Sequence, residues 1–280
     1  MTGPEPGALP PGLIERARAA ADPTYVAPPV RDAATIALVR DAADGLEVYL
    51  LRRVRAMAFA SGMHVFPGGS VDPADAGAEV GWTGPGAPEW AAAFATDAPL
   101  ARALVCAAVR ETFEECGVLL AGPHPDALVA DVSDDDWEAE RVALEGRALS
   151  LSDLLARRSL LLRADLLRPL AHWITPEVEP KRFDTRFFLA QMPAGQATRD
   201  VGSEADQRVW IRPQDALDQG LAMMPPTAAV LRDLADHADV ASALAAPRTI
   251  APVLPKLIVR ADDSVAMLLP GDPDYPVAAG

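Results

Sequence analysis

The stretch from Thr96 to Gly117, TDAPLARALVCAAVRETFEECG, narrows sharply what this chain can fold into. It carries the signals of one long helix, from about Pro99 to Cys116. Asp97 or Thr96 can cap its start, and Gly117 closes it. At about 100° per residue, Val105, Val109, Phe113 and Cys116 share a side that must face a core. Strand-like segments lie on both sides of this helix in sequence. DAATIALVR (32–40) and LEVYLLRR (46–53) flank the turn signal Asp44-Gly45. MHVF (63–66) is a third strand, ended by Pro67-Gly68-Gly69. AHWIT (171–175), TRFFLAQM (185–192) and QRVWI (207–211) return to strand composition after it. Strands on either side of one central helix, with further helices outside, imply an α/β sandwich on a mixed sheet.

The remaining segments read as additions. Residues 1–30 are rich in Pro, Ala and Gly and suggest a flexible tail with one short helix. A main domain over 31–250 would carry an irregular excursion at about 76–98 and a helical insertion at about 124–168. In the latter, Ser133 precedes an acidic turn of the kind helix starts prefer. PQDALDQG and PPTAAVLRDLADHA are helices opened by proline. In the extension 251–280, PKLIVRADDSVAMLL has the pattern of a hairpin.

Composition sets limits on function. The formal net charge is −15 and the pI about 4.6, the opposite of a nucleic-acid binder's balance. Phosphates remain accessible to such a chain where metal ions or local arginines supply positive charge. Cys106 and Cys116 are ten residues apart on one helix. That is roughly 15 Å at 1.5 Å per residue, too far for a disulfide, so reduced core thiols are expected. MTGPEPGALPPG lacks the regions of a signal peptide, no apolar run reaches a membrane span, and VAAG is not a peroxisomal address. The expected compartment is the cytoplasm, with no membrane or nucleic-acid partner; the oligomeric state is open.

Glu111, Glu114 and Glu115 fall within an arc of about 100°. As i, i+3 and i+4 neighbours their side chains converge, and like charges at that spacing repel by a few tenths of a kcal/mol per pair. The negative end of the helix dipole adds to the cost. A solvated acidic face is one explanation, and a bound divalent cation, which favours carboxylate oxygens, is the other. Chance favours the second. At roughly 6–7% usage per residue type, the five fixed positions of R-E-x-x-E-E-x-G arise about once per million sites.

With these residues in place, the sequence resembles the Nudix hydrolases, whose box reads G-x5-E-x7-R-E-U-x-E-E-x-G-U, U being bulky and aliphatic. Arg110, Glu111, Glu114, Glu115, Gly117 and Val118 match its second half, and HVFPGG (64–69) matches the approach to its first. Thr112 stands at one U position, and Asp75 stands where the family has Glu. Thirty-four residues separate Asp75 from Arg110, against seven in the family. An interrupted box of this kind is similar to the branch that includes peroxisomal-type coenzyme A diphosphohydrolases. HVFPGGSVDPAD and WITPEVEPKRFDTRFFLA carry the same likeness, which spans about 32–220.

The resemblance implies hydrolysis of a diphosphate bond in a nucleoside diphosphate derivative, a small molecule such as coenzyme A or an acyl-CoA. A binding module that does not cleave, or an ADP-ribose or dinucleotide pyrophosphatase, is the alternative. It implies Mg²⁺ or Mn²⁺ on Glu111, Glu114, Glu115 and the Gly69 carbonyl, with Arg110 holding a glutamate in its ligating rotamer. Asp75 either helps orient the glutamates or has been displaced by the insertion. Glu204 best matches the family's further carboxylate before a late strand, with Glu177 and Glu179 as rivals. Arg52 and Arg53 end the second strand, near where the family meets substrate phosphates; a solvated strand end is the other reading. Lys181, Arg182 and Arg186 either meet an acidic ligand or balance Glu177 and Glu179. Trp82 and Trp90 either stack on a base or pin the insertion to the domain.

Overall fold

The computed structural model describes residues 9–54, 60–76, 80–201 and 205–276. In chain order, α1 (Pro11–Ala20) is followed by β1 (Val30–Ala42), β2 (Gly45–Arg53), β3 (His64–Val65), β4 (Gly68–Ser70) and α2 (Pro73–Ala76). Then come β5 (Trp82–Thr83), α3 (Ala87–Phe94), α4 (Ala98–Cys116), β6 (Ala121–Gly122), α5 (Asp135–Glu145), α6 (Leu151–Arg157) and β7 (Leu161–Arg163). The chain continues with β8 (Leu167–Ile174), β9 (Arg182–Gln191), β10 (Ala205–Ile211), α7 (Pro213–Asp218), α8 (Pro225–Ala235) and α9 (Val240–Ala245). It ends with β11 (Pro252–Val253), β12 (Lys256–Val259) and β13 (Val265–Leu268).

Two compact units divide the chain, one of residues 32–171 and 185–251, the other of 1–31, 172–184 and 252–280. In the larger unit the strands run in the order β10-β2-β1-β9-β8, with β3 on β2 and β4 on β1. β1 and β2 form the expected hairpin, Val39 opposite Val48 and Ala42 opposite Gly45. Gly45 has φ +113°, a conformation that favours glycine at the turn. Pro67-Gly68-Gly69 does not simply end a strand as expected. Gly68–Ser70 forms β4 on β1, with Ala34 opposite Gly69. A Cβ on Gly68 would lie 2.6 Å from the Ala34 carbonyl oxygen, so only glycine permits this approach.

Helix α4 has the bounds its signals gave. The Asp97 carboxylate accepts the Leu100 N–H at 2.7 Å, a cap worth about 1 kcal/mol. Gly117 adopts φ +67° and returns its N–H to the Phe113 carbonyl at 3.0 Å. The helix is buried on more sides than the spacing of Val105, Val109, Phe113 and Cys116 implied. Ala101, every residue from Ala103 to Val109, Thr112 and Glu114 are buried as well. The reason is tertiary: α2, α3, α5 and β4 all pack on it. Each fully buried large apolar side chain here contributes about 1.5–3 kcal/mol.

The 76–98 excursion is not irregular throughout, because it contains β5 and α3. Trp90 is buried there, its ring 5.4 Å from Phe188 and 6.1 Å from Phe94, so it is a core residue. The Arg102 guanidinium lies 5.0 Å over the Trp82 ring. The 124–168 insertion is only partly helical. It supplies α5 and α6, but also β7, which joins β5 and β6 in a three-stranded sheet. Asp134, not Ser133, caps α5, accepting the Trp137 N–H at 2.9 Å.

In the smaller unit, β12 and β13 form the expected hairpin, Lys256 opposite Leu268. β11 pairs in parallel with β8 at His172 and Trp173. Both cysteines are free and buried. Among the described residues no single helix is long and apolar enough to cross a membrane.

Candidate active site

The site assembles where β4, α2 and the last turns of α4 meet. Arg110 is its hub. Its Nε donates to Asp75 Oδ1 and its Nη2 to Asp75 Oδ2, both at 3.0 Å. Nη2 also reaches the Ser70 carbonyl at 3.0 Å. Nη1 donates to Glu111 at 2.8 Å and to both Glu114 oxygens at 3.2 Å. Asp75, 3% exposed, is held further by the Asp72 N–H at 2.8 Å. So Asp75 does reach the cluster across the 34 residues that separate it from Arg110: α2 places it beside α4, and the bidentate pair compensates for its shorter stem.

The two glycines serve different carboxylates. The Gly68 N–H donates to Glu115 Oε2 at 2.8 Å. A Cβ on Gly69 would lie 2.4 Å from Glu111 Oε1, so the Glu111 carboxylate rests against bare backbone. Any larger residue at 69 must push Glu111 aside.

One guanidinium faces three carboxylates, Asp75, Glu111 and Glu114, which leaves two formal negative charges in excess. The consequence shows on Glu114. Burial pushes its carboxyl up to about 7, outweighing the pull of Arg110. Burial also works against the Arg110 charge, but the carboxylates around it prevail and hold it above the usual range. Both partners therefore move upward: at Glu114 burial outweighs its share of the cation, while at Arg110 several anions outweigh burial. The nucleophilic side chains of the same helix are not available for chemistry. Thr112 Oγ1 donates to the Ala108 carbonyl at 2.8 Å, and burial raises the Cys106 thiol to about 12.

Among the described residues, no three His, Cys, Asp or Glu side chains stand as a ready-made metal cage. Arg110 binds Glu111 and Glu114, and Gly68 binds Glu115. The donor set nonetheless fits a hard divalent cation, since it is all carboxylate oxygen, partly buried and short of positive charge.

Other expected residues lie elsewhere. The Arg52 Nε donates to Asp206 at 2.7 Å, an exposed pair joining β2 to β10. Arg53 N–H bonds the Met63 carbonyl. Arg186 pairs with Asp32 at 2.8 Å. Within the smaller unit, Glu177 pairs with Lys256 at 2.6 Å and Glu179 with Arg16 at 2.8 Å. Lys181 lies over the Phe183 ring, and Arg182 binds the Thr175 and Pro28 carbonyls. So Lys181 and Arg182 are not the partners of Glu177 and Glu179. Glu204 lies outside the described residues.

One group escaped sequence reasoning. Arg141 Nη1 donates to the Glu114 carbonyl at 2.7 Å, and Arg199 N–H bonds the Cys116 carbonyl at 2.9 Å. A helix end needs partners for its last carbonyls, but nothing local names a donor 27 residues away.

No family model matches the chain. Nudix hydrolase 7 of Caenorhabditis elegans is 30% identical over 191 residues, 64% of this chain. The match covers 52% of the nematode protein, so the chain spans about half the length of that relative. Acyl-coenzyme A diphosphatase NUDT19 of Xenopus laevis is 26% identical over 82% of this chain and 71% of its own length. The crystal structure of a Nudix hydrolase from Alicyclobacillus acidocaldarius is 29% identical, with a TM-score of 0.62 over 79% of this chain and 98% of that one. In sequence and in fold the chain is similar to Nudix hydrolases. Its fold is the α/β Nudix type with mixed sheets. The residues that resemble a Nudix box are separated in sequence and rejoined in space, Gly69 against Glu111 and Asp75 against Arg110.

Proposed function

We propose that this protein is a Nudix hydrolase that cleaves a diphosphate bond in a nucleoside diphosphate derivative, using Mg²⁺ or Mn²⁺. The observation that carries this reading is the partly buried carboxylate cluster of Asp75, Glu111 and Glu114, with Glu115 beside it, short of positive charge. Glu111, Glu114 and Glu115 would hold the ion, helped by the Gly69 carbonyl. Such an ion neutralises charge on a diphosphate and makes a water more acidic.

The chain's own residues supply the rest. Arg110, anchored by Asp75, sets the rotamers of Glu111 and Glu114, and the Gly68 N–H sets that of Glu115. Water attacks phosphorus directly, because both thiols of α4 are buried and its Thr112 hydroxyl is buried and hydrogen-bonded to the Ala108 carbonyl. Glu204 is the proposed further carboxylate, as ligand or base, and Arg52 and Arg53 the proposed phosphate contacts. The reading places the domain at residues 31–250, with a small-molecule substrate in the cytoplasm and no nucleic acid or membrane partner.

Coenzyme A or an acyl-CoA is the first candidate substrate, supported by the likeness to acyl-coenzyme A diphosphatases. The test is a screen of coenzyme A, ADP-ribose, dinucleotides and nucleoside triphosphates with each metal. Coenzyme A should give 3′,5′-ADP and a phosphopantetheine product, one of them labelled in ¹⁸O-water. Thioester cleavage with the diphosphate intact would overturn the reaction class. Cleavage of ADP-ribose or a dinucleotide alone would overturn only the substrate.

A second reading is a nucleotide-binding module without hydrolysis. It is favoured by the hydrogen bonds that Arg110 and Gly68 make to all three box glutamates. Saturable nucleotide binding with no phosphate product under either metal would select it.

A further inference from the structure

Glu114 is gripped twice. Its side chain binds Arg110, and its main-chain carbonyl binds Arg141, which reaches it from α5. Arg141 is 3% exposed, and its guanidinium nitrogens bond two carboxylates besides the Glu114 carbonyl. Nε and Nη2 hold Glu138 at 3.0 and 2.8 Å, and Nη1 holds Glu145 at 2.9 Å. Glu138 in turn binds Arg199 Nη1 at 2.8 Å, and the Arg199 N–H caps Cys116. A chain of charge thus runs from Arg199 through Glu138 and Arg141 to the backbone of Glu114.

Two physical points make this more than a helix cap. The last turn of α4 concentrates negative charge, from Glu114, Glu115 and the helix dipole itself, and a cation on its carbonyls offsets that. A nearly buried guanidinium fixed by carboxylates is weak evidence for stability, since the desolvation of its charges opposes their attraction. Its better-attested value is in specifying one geometry. Here the geometry specified is the backbone from which two of the three box glutamates project.

We propose that Arg141 is a positioning residue for the metal site, acting through the Glu114 carbonyl to fix the last turn of α4. This rests on the reading of Glu111, Glu114 and Glu115 as metal ligands. Partners outside the ligand shell govern affinity because they remove the freedom of the ligands to turn away from the ion.

The experiment measures Mn²⁺ affinity by calorimetry, amide hydrogen exchange and Tm on the full chain. Its variants are Arg141→Met, which keeps the stem, and Arg141→Lys, which keeps a donor for the carbonyl. Leu154→Ala, a core truncation on α6, serves as a control for stability loss alone. Arg141→Met should weaken Mn²⁺ binding about ten-fold and raise exchange over residues 114–120. Arg141→Lys should recover most of that affinity. Leu154→Ala should lower Tm while Mn²⁺ affinity stays at the parent's. In turnover, Arg141→Met should lower kcat with little change in KM for the diphosphate substrate. Parent-like Mn²⁺ affinity in Arg141→Met, with Tm lowered, would reduce Arg141 to a structural cap and overturn the proposal. So would equal loss of affinity in Leu154→Ala. Absence of Mn²⁺ binding by the parent chain would instead overturn the metal reading, and this inference with it.

Discussion

Arg110 and Arg52 both stand on carboxylates, and they do so in opposite surroundings. Arg110 is partly buried, bidentate to Asp75 and shared with Glu111 and Glu114. Arg52 is exposed and makes one short bond to Asp206 across two strands. In water the second pair is weak, because solvent screens it and two long side chains lose freedom in forming it. Away from water the same charges interact strongly, and leaving one uncompensated is costly. The difference teaches where charge placement carries information: the Arg110 cluster is largely shielded from solvent, so its excess of carboxylate shows as a raised Glu114 carboxyl rather than being screened by water.

The sharpest way to break the comparison is to remove charge from the buried side. Glu114→Gln and Glu115→Gln should each lower hydrolysis by orders of magnitude in a steady-state assay. Without metal, the stability of each should stay at the parent's or rise, since a member of a repulsive cluster is gone. Unaltered turnover in either would remove these glutamates from the site.

Asp75→Asn should have a smaller effect on activity than Glu114→Gln, but a clear one. It takes the bidentate partner from a partly buried guanidinium, so stability should fall by at most about 3 kcal/mol, with Glu111 and Glu114 still in place. Denaturant melts and kcat check both. Activity equal to the parent would mean that Asp75 anchors Arg110 without bearing on the site.

On the exposed side, Arg52→Ala should leave Tm unchanged. If Arg52 meets a substrate phosphate, KM should rise about ten-fold, the worth of one charge-assisted hydrogen bond, with kcat unchanged. A parent-like KM would leave Arg52 as a strand-end ion pair.

The smallest effect concerns Glu138, which Arg141 holds below the usual carboxylate range. A lowered folded value contributes stability above 4.5, the ordinary Glu value, and loses it as pH falls through the folded one. Arg141→Met removes most of that contribution. The Tm gap between parent and variant should therefore narrow as pH falls below 4.5. A gap constant with pH would show that Arg199 alone lowers Glu138.

What could be read from residues in order was whatever acts over one turn or one strand. The bounds of α4, its Asp97 cap, the Gly117 stop, the β1–β2 hairpin at Gly45 and the β12–β13 hairpin follow from dihedral preference and short-range hydrogen bonds. The convergence of Glu111, Glu114 and Glu115 followed too, because helix geometry alone brings i, i+3 and i+4 together. Packing decided the rest. Whether Asp75 meets Arg110 depends on where α2 docks on α4, which 34 intervening residues do not announce. Gly68–Ser70 becomes a strand only because β1 lies within hydrogen-bonding reach. The burial that moves Glu114 toward 7 needs the elements that pack on α4, and the grip of Arg141 on its carbonyl needs α5 beside the end of that helix. Local signals choose dihedrals, but burial and long-range contacts are properties of neighbours, and neighbours exist only in the folded chain.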